Sequence, residues 1–429
     1  MRETWENWSG AVRATPAEIA TPASRDAVVD VVERARDEGR NVRVVGSGHS
    51  FTRLVETDDV LVSLDEHQGV VDIDEDAQRA TVKAGTKLHR LNDALDEHDL
   101  AMENMGDVDE QSVAGALSTG THGTGIGFKV LADQLASVTL VDGEGEVRTY
   151  DRGDDGFGPA QVSLGALGVI TEVTLDLEPA YDLRLVKSKR DVDAVLDEIE
   201  ELRDGNRNFE FFWFPHTDVA VTKEINETDR DHTASVGEGG FDEVLENKAW
   251  GTLCKLSTFL PGTAKHAAGL AAAAIKDEDV VGPSHAIYTQ LRDVRFNEME
   301  YGVPAEQGPE AFRAIRELIE EDHRDVAFPV EYRYVAGDDI PLSPAHGRDT
   351  AFIAVHKYHE KEYHDYFRDC EDVFREHDGR PHWGKMHFLE SATLADLYPM
   401  WDDFHAERRD SDPDGVYLND YLAELFGEE

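Results

Sequence analysis

Residues 44–51 read VVGSGHSF: an apolar strand that runs into two glycines, two serines and a histidine without one charged side chain. In a chain with 90 Asp and Glu against 42 Lys and Arg, an uncharged run there is unusual. Small residues at the end of a strand let another group approach the backbone closely. A strand followed by G-x-G is also what an ordinary tight turn looks like. Phe51 stands where a dinucleotide fingerprint of the Rossmann type needs its third glycine, so that fold is set aside.

A second stretch raises the weight of the first. Residues 112–127, SVAGALSTGTHGTGIG, hold five glycines, two serines, three threonines and no acidic or basic group. Consecutive backbone N–H groups, helped by hydroxyls, can solvate a pyrophosphate without a cation. Two such turns in one region favour a phosphate cradle over two glycine turns packed tightly on helices.

Around these turns the chain alternates helix and strand. Residues 24–39, SRDAVVDVVERARDEG, predict a helix capped by Ser24 and ended by Gly39, and NVRVV (41–45) a buried strand entering the first turn. A helix is expected at TKLHRLNDALDEHD (86–99), a strand at LAMEN (100–104), a hairpin in SVTLVDGEGEVRTYD (137–151) and a strand at VITEVTLDLEP (169–179) stopped by Pro179. After Pro179 the texture changes. DVDAVLDEIEELRD (191–204) has the period of an amphipathic helix, NFEFFWF (208–214) reads as an aromatic strand, and NETDRDHTASVGEGG (226–240) as a polar loop. Strands are expected at FPVEYRYV (328–335) and TAFIAVHKY (350–358), each preceding a helical stretch. The division that follows is an α+β domain at 1–178, a second sheet-and-helix domain at 179–405, and a tail at 406–429 packing back on the first.

Composition narrows the partners. A formal charge of -48 repels phosphate polymers and anionic lipid, which argues against nucleic acid and against membrane insertion. It suits a halophilic, cytoplasmic protein. The most apolar window, HAAGLAAAAI (266–275), is too short to span a bilayer, and MRETWENWSG lacks the apolar core of a signal peptide. Cys254 and Cys370 are alone and far apart, so neither a disulfide framework nor a Cys-based metal site is expected.

The motifs then follow one another in a recognisable order. VGSGHSF, GDVDEQSVAGALSTGTHGTG (106–125), SLGALGVITEVTL (163–175), FPVEYRYVAGDDIPLS (328–343), GRDTAFIAVHKY (347–358) and RPHWGKMH (380–387) resemble the FAD-dependent aldonolactone oxidoreductases. These are the L-gulono-1,4-lactone oxidases and dehydrogenases and the D-arabinono-1,4-lactone oxidases; alditol oxidases share the scaffold. The likeness runs from WENWSG to YLND, nearly the whole chain. RPHWGK together with VEYR is its specific part.

The resemblance implies an α+β fold: a two-subdomain FAD-binding domain of the vanillyl-alcohol oxidase (PCMH) type, followed by a substrate-binding cap. It implies that Gly46, Ser47, Gly48, His49 and Ser50 wrap the FAD pyrophosphate. His49 takes the place of the histidine that many relatives bond covalently to the flavin. Further cofactor contacts would come from Gly106, Ser112, Gly115, Ser118, Gly120 and His122. Thr124, Gly125, Ile126, Gly127, Ile170 and His382 complete that set.

Glu331 and Arg333 alternate along VEYRYV, so both emerge on one face and Tyr332 on the other. By resemblance they contact substrate, and Lys385 lies by the flavin, where a cation stabilises negative charge as the cofactor is reduced. His356 would contact substrate, and Ser112 would lie where flavin and substrate meet. The implied reaction is hydride transfer from a sugar lactone to flavin N5, with Glu331 and Lys385 arranging the hydroxyl proton and O2 or another acceptor reoxidising the cofactor. A polyol substrate and a non-catalytic flavin- or sugar-binding protein are the rivals. No metal is expected: DSDPDG (410–415) imitates a calcium loop, but Tyr421 stands where its twelfth-position glutamate belongs. The three histidines of HKYHEKEYH (356–364) are split between a strand and a turn.

Overall fold

The computed structural model describes residues 3–233, 264–289 and 294–428. Cys254 and the part of the expected polar loop beyond Thr233 lie outside the described residues.

The first glycine turn ends a strand of a small parallel sheet. Val42–Val45 pairs with Val60–Ser63, which pairs on its other side with Glu18–Ala20. Helix Arg25–Asp37 packs through Val28, Val31, Val32 and Ala35, and the Ser24 hydroxyl caps it by accepting from the Ala27 N–H at 3.2 Å. A second, five-stranded antiparallel sheet contains the expected hairpin, Leu135–Val141 with Val147–Asp151, next to Val169–Asp176.

The second sheet system is one antiparallel sheet of eight strands built from residues 182–381. Its centre runs Asn208–Trp213, Val330–Val335, Thr350–Tyr358, Phe296–Pro304. One face carries Tyr332, stacked on Phe211 (ring centroids 5.0 Å apart) and met edge-on by Phe312 of helix Gly308–Glu321. The opposite face carries Glu331 and Arg333. Register extends that face sideways: Glu331 and Glu300 both pair with Ala354, and Glu298 pairs with His356. A sheet face that is apolar on its helix side and charged on the other must cover the charges, and the first sheet system does so. Gly125 N–H donates to the Tyr334 carbonyl (2.7 Å) and Ala336 N–H to that of Phe128 (2.7 Å), tying the second glycine stretch to the Glu331 strand.

The tail packs on the first system. Val42 N–H donates to the Val416 carbonyl at 2.8 Å, and the Tyr417 hydroxyl reaches the Val141 carbonyl at 2.8 Å. Arg43, 1 % exposed, binds four carbonyls, those of Leu54, Leu164, Gly165 and Tyr417. Burial of its guanidinium pushes the pKa down to about 10.

Several elements differ from expectation. LAMEN yields only Leu100–Ala101, paired antiparallel with Glu178–Pro179, and the chain leaves the ladder from Met102 on. The helix at 191–204 is broken at Glu198 into Val192–Asp197 and Ile199–Asp204, each burying its own apolar residues. No helix follows the Glu331 strand. Pro341 and Pro344 prevent one, and the chain forms turns around Asp338, whose carboxylate accepts from the Ile340 N–H (3.0 Å) and the Ser343 hydroxyl (2.5 Å). The stretch 112–127 is not all turn: Val113–Ser118 is a short helix, with the Ser112 hydroxyl accepting from the Gly115 N–H at 3.3 Å. No helix among the described residues is long and apolar enough to cross a membrane.

Candidate active site

A cavity of about 600 Å³ lies between the first glycine turn and the charged face of the eight-stranded sheet. The turn contributes Gly46, Ser47, His49 and Ser50; the sheet contributes Glu298, Glu300, Glu331 and Arg333; the segment after Arg380–Pro381 contributes His382, Gly384 and Lys385. Gly46, Ser47, His49 and Gln111 also line a narrower crevice, with Gly48, Gly85, Ser112, Gly115, Ser118 and Ile170. The two spaces therefore meet at the first glycine turn.

The sheet side is a set of buried ion pairs. Arg333 Nη2 donates to Glu300 Oε1 at 2.6 Å, and its Nε lies 3.4 Å from Glu331 Oε1. Lys385 Nζ lies 2.5 Å from Glu298 Oε2. Burial alone would raise the Glu298 carboxyl, but Lys385 and then His356 overcome it and hold the group at about 2. Glu300 is likewise kept well below the usual carboxylate range: burial opposes ionisation, and Arg333 followed by His122 outweighs it. Both glutamates are thus anions wherever the protein works, each facing a cation.

The histidines are fixed by the backbone. His122 Nδ1 lies 2.8 Å from the Gly123 carbonyl, its ring stacks on Phe352 at 3.8 Å, and its Nε2 is 3.5 Å from Glu300 Oε1. His382 Nδ1 accepts from the Gly384 N–H at 3.0 Å, and burial lowers its pKa to about 3. His122, Glu300 and His382 bring one potential ligand atom each within 4.8 Å of one another. Yet the His382 Nδ1 lone pair is taken, its other ring nitrogen then carries the hydrogen, and Arg333 already neutralises Glu300. The trio is hydrogen-bonding equipment rather than a metal cage.

His49 sits at the junction of the two spaces. Burial first, and Lys385 second, lower its pKa to about 4, so the imidazole is neutral. The N-terminal segment holds its turn in place: Trp8 N–H donates to the Gly48 carbonyl (2.8 Å) and the Asn7 side chain to that of Ser50 (3.0 Å). One cation does approach the turn. Lys87 Nζ donates to Ser47 Oγ and pairs with Asp65, both at 2.9 Å.

Not every expected site residue is gathered here. Gly106 and His122 line the large cavity, whereas Gly120, Thr124, Gly125, Ile126 and Gly127 line neither space, because that segment leaves to bond the Glu331 strand. Ser112 was expected between flavin and substrate; it lines only the narrow crevice, spent on its helix cap and packed behind Gly46. His356 was expected to contact substrate; it stands behind Glu298, outside the large cavity. Glu298 and Glu300 themselves escaped the sequence reading. Their signal was two acids two residues apart in the otherwise uncharged strand FNEMEYGVP. Lys87 and Trp8 gave none.

Residues 173–425 match the family described as D-arabinono-1,4-lactone oxidase, and residues 16–151 match an FAD binding domain. The chain belongs to the D-arabinono-1,4-lactone oxidase family. Among relatives of this family's type, it is 40% identical to the L-gulono-1,4-lactone dehydrogenase of Mycobacterium tuberculosis over 100% of both chains. It is 30% identical to the L-gulonolactone oxidase of Bos taurus, covering 98% of each. In fold it matches cholesterol oxidase from Brevibacterium sterolicum with a TM-score of 0.87 over 99% of this chain and 97% of that one, at 18% identity.

An aldonolactone oxidase-family chain is an FAD-dependent oxidoreductase, and the residues present fit FAD. A Cβ on Gly46 would collide with Ser112 Oγ, so only glycine lets the first turn pack on the start of helix Val113–Ser118 and bring the two cofactor stretches together. Glycines and the hydroxyls of Ser47, Ser112 and Ser118 line the crevice beside apolar walls from Leu54, Leu64, Leu164 and Ile170, a mixture that suits a pyrophosphate joined to larger apolar rings. Gly46–Ser50, Gly115 and Ser118 are placed to hold it, with His49 and His382 at the wider end. Gly46→Ala is therefore expected to weaken FAD binding at least about tenfold (~1.4 kcal/mol) while the apoprotein stays folded; fluorescence titration of released and re-added FAD measures it.

Proposed function

We propose that this chain oxidises the hydroxyl next to the ring carbonyl of an aldono-1,4-lactone, giving a 2-keto lactone. The observation that carries the reading is one cavity that sets Arg333 with Glu331 and Lys385 with Glu298 opposite the His49 turn. A polyhydroxylated ring needs both acceptors and donors, and these paired ions supply them at fixed positions.

Bound FAD supplies the two-electron acceptor. The rest falls to the chain. Arg333 donates to a ring or carbonyl oxygen while Glu331 accepts from a sugar hydroxyl. Lys385, a cation lining the cavity, would stabilise negative charge developing on the reacting oxygen and on the reduced cofactor. The carboxylates of the sheet face receive the hydroxyl proton. His49, neutral and clamped, is the group that would carry a covalent link to FAD. Acid-precipitated wild type is then expected to stay yellow, and His49→Ala to release its FAD into the supernatant; colourless wild-type precipitate would remove the bond and leave the fold intact.

Reoxidation uses O2 or a separate acceptor, and the acidic surface fits a salt-rich cytoplasm. Steady-state assays with a panel of 1,4-lactones and alditols, following peroxide and dye reduction in parallel, test the substrate class and separate oxidase from dehydrogenase. Turnover of alditols in preference to every lactone would contradict the proposal.

A further inference from the structure

Glu298 has one oxygen toward the cavity's cation and one turned away from it. Oε2 lies 2.5 Å from Lys385 Nζ, and Oε1 lies 3.6 Å from His356 Nε2. The sheet enforces this, since Glu298 and His356 are direct partners across neighbouring strands. His356 is 4 % exposed, packed edge-on to Phe296 with ring centroids 4.9 Å apart. Its Nδ1 is 2.9 Å from the Pro329 carbonyl, which can only accept, so Nδ1 carries a hydrogen. Nε2 is buried without a hydrogen bond. Leaving such an atom unmatched costs about 1–3 kcal/mol, a cost that a proton-accepting role would explain.

We propose that His356 stores the proton released during oxidation, receiving it through Glu298. The inference rests on the lactone-oxidation reading. As the substrate's C–OH becomes C=O, its C–H bond gives up a hydride to the cofactor and its O–H bond breaks. The O–H electron pair becomes the second carbon–oxygen bond. The proton bonds to a Glu298 carboxylate oxygen; rotation of that carboxyl about its Cγ–Cδ bond carries the same proton round to the His356 Nε2 lone pair, which takes it and leaves the carboxylate charged again. Glu298 alone is a weak base, because the Lys385 ammonium lowers its carboxyl despite its burial. Handing the proton on leaves an imidazolium facing a carboxylate, a charge-assisted pair. His356 touches neither substrate nor cofactor and acts as a positioning residue for the proton.

Other charges surround His356. Lys357 and Lys361 follow it in the chain, and Asp325 comes from the segment before the Glu331 strand; together with His356 they line a small second cavity. Lys357 Nζ lies 2.8 Å from Asp325 Oδ2, and the Asp325 side chain is 35 % exposed.

The test uses FAD-loaded protein with ¹⁵N-labelled histidine, His356→Gln assigning the resonance. At rest, Nδ1 is expected to be protonated and Nε2 bare; after anaerobic reduction by a lactone substrate, both are expected to be protonated. In Glu298→Gln the second proton does not arrive. His356→Gln should keep its FAD, change KM little, slow flavin reduction about 10²-fold and gain rate as pH rises, when solvent base replaces the imidazole. A bare Nε2 in the reduced wild type, or wild-type reduction rates in His356→Gln at every pH, would overturn the relay and leave the lactone reading standing. Failure of wild type to be reduced by any lactone would overturn both.

Discussion

Arg333→Met is expected to lower stability by about 3–5 kcal/mol, because it leaves Glu300 buried beside Glu331 with no cation between them. Arg333 itself is 6 % exposed and Glu300 1 %, so water cannot take over the guanidinium's role. The loss should depend on pH, and its sign follows from Glu300. In the folded chain that carboxyl titrates well below its ordinary 4.5, so the Arg333 pair contributes stability that is complete above 4.5 and drains away as pH falls below it. Arg333→Met lacks this contribution at every pH. The gap between wild type and variant should therefore be widest near neutrality and close on acidification, in parallel melts across that range. A gap that stays constant with pH would mean the guanidinium matters only as packing. Activity should fall by a further factor of about 10²–10³, since the same group is aimed into the cavity.

Lys385→Met is expected to show the larger catalytic effect with the smaller structural one. Lys385 is 20 % exposed by its side chain, so solvent reaches the place it vacates. Removing a preorganised cation from the reacting end of such a site costs about 10²–10³ in rate. Stopped-flow reduction of the bound FAD by substrate reads this directly, with little change in the substrate concentration for half-saturation. Glu298 loses its nearest cation in the same variant, so its carboxyl rises toward its ordinary value and becomes a better base. The deficit should consequently be deepest at low pH, where that carboxyl is protonated and cannot take the hydroxyl proton, and should partly recover once it ionises. Equal reduction rates in variant and wild type would count against any electrostatic role for the ammonium.

Much of this site could be read from the residues. Alternation along VEYRYV put Glu331 and Arg333 on one face before any coordinates, because side-chain period in a strand is a local property. The uncharged turn at 44–51 likewise announced a backbone approached by something else. Which strands neighbour VEYRYV is another matter. Glu300 lies 33 residues before Arg333 in the chain and meets it across the intervening strand at Ala354, a pairing no local pattern encodes. His356 was singled out for its chemistry and its strand was legible, but that Glu298 is its partner across neighbouring strands belongs to register. The cap role of Ser112 was not legible, since S-V-A-G in a glycine-rich run looks like turn until the short helix is seen. Within 120–127, His122 lines the cavity while Gly125 bonds the Tyr334 strand, a division that glycine composition alone does not reveal.

The central claim is that the sheet's ion pairs present an aldono-1,4-lactone to FAD held by the glycine turns. Anaerobic addition of L-gulono-1,4-lactone and its stereoisomers to the FAD-loaded protein, watched in the visible spectrum, tests it most directly. The account expects the yellow absorbance to bleach stoichiometrically with at least one lactone, and no bleaching in Lys385→Met on the same timescale. A spectrum unchanged by every 1,4-lactone, in protein that binds FAD and is bleached by an alditol or another alcohol, would contradict it.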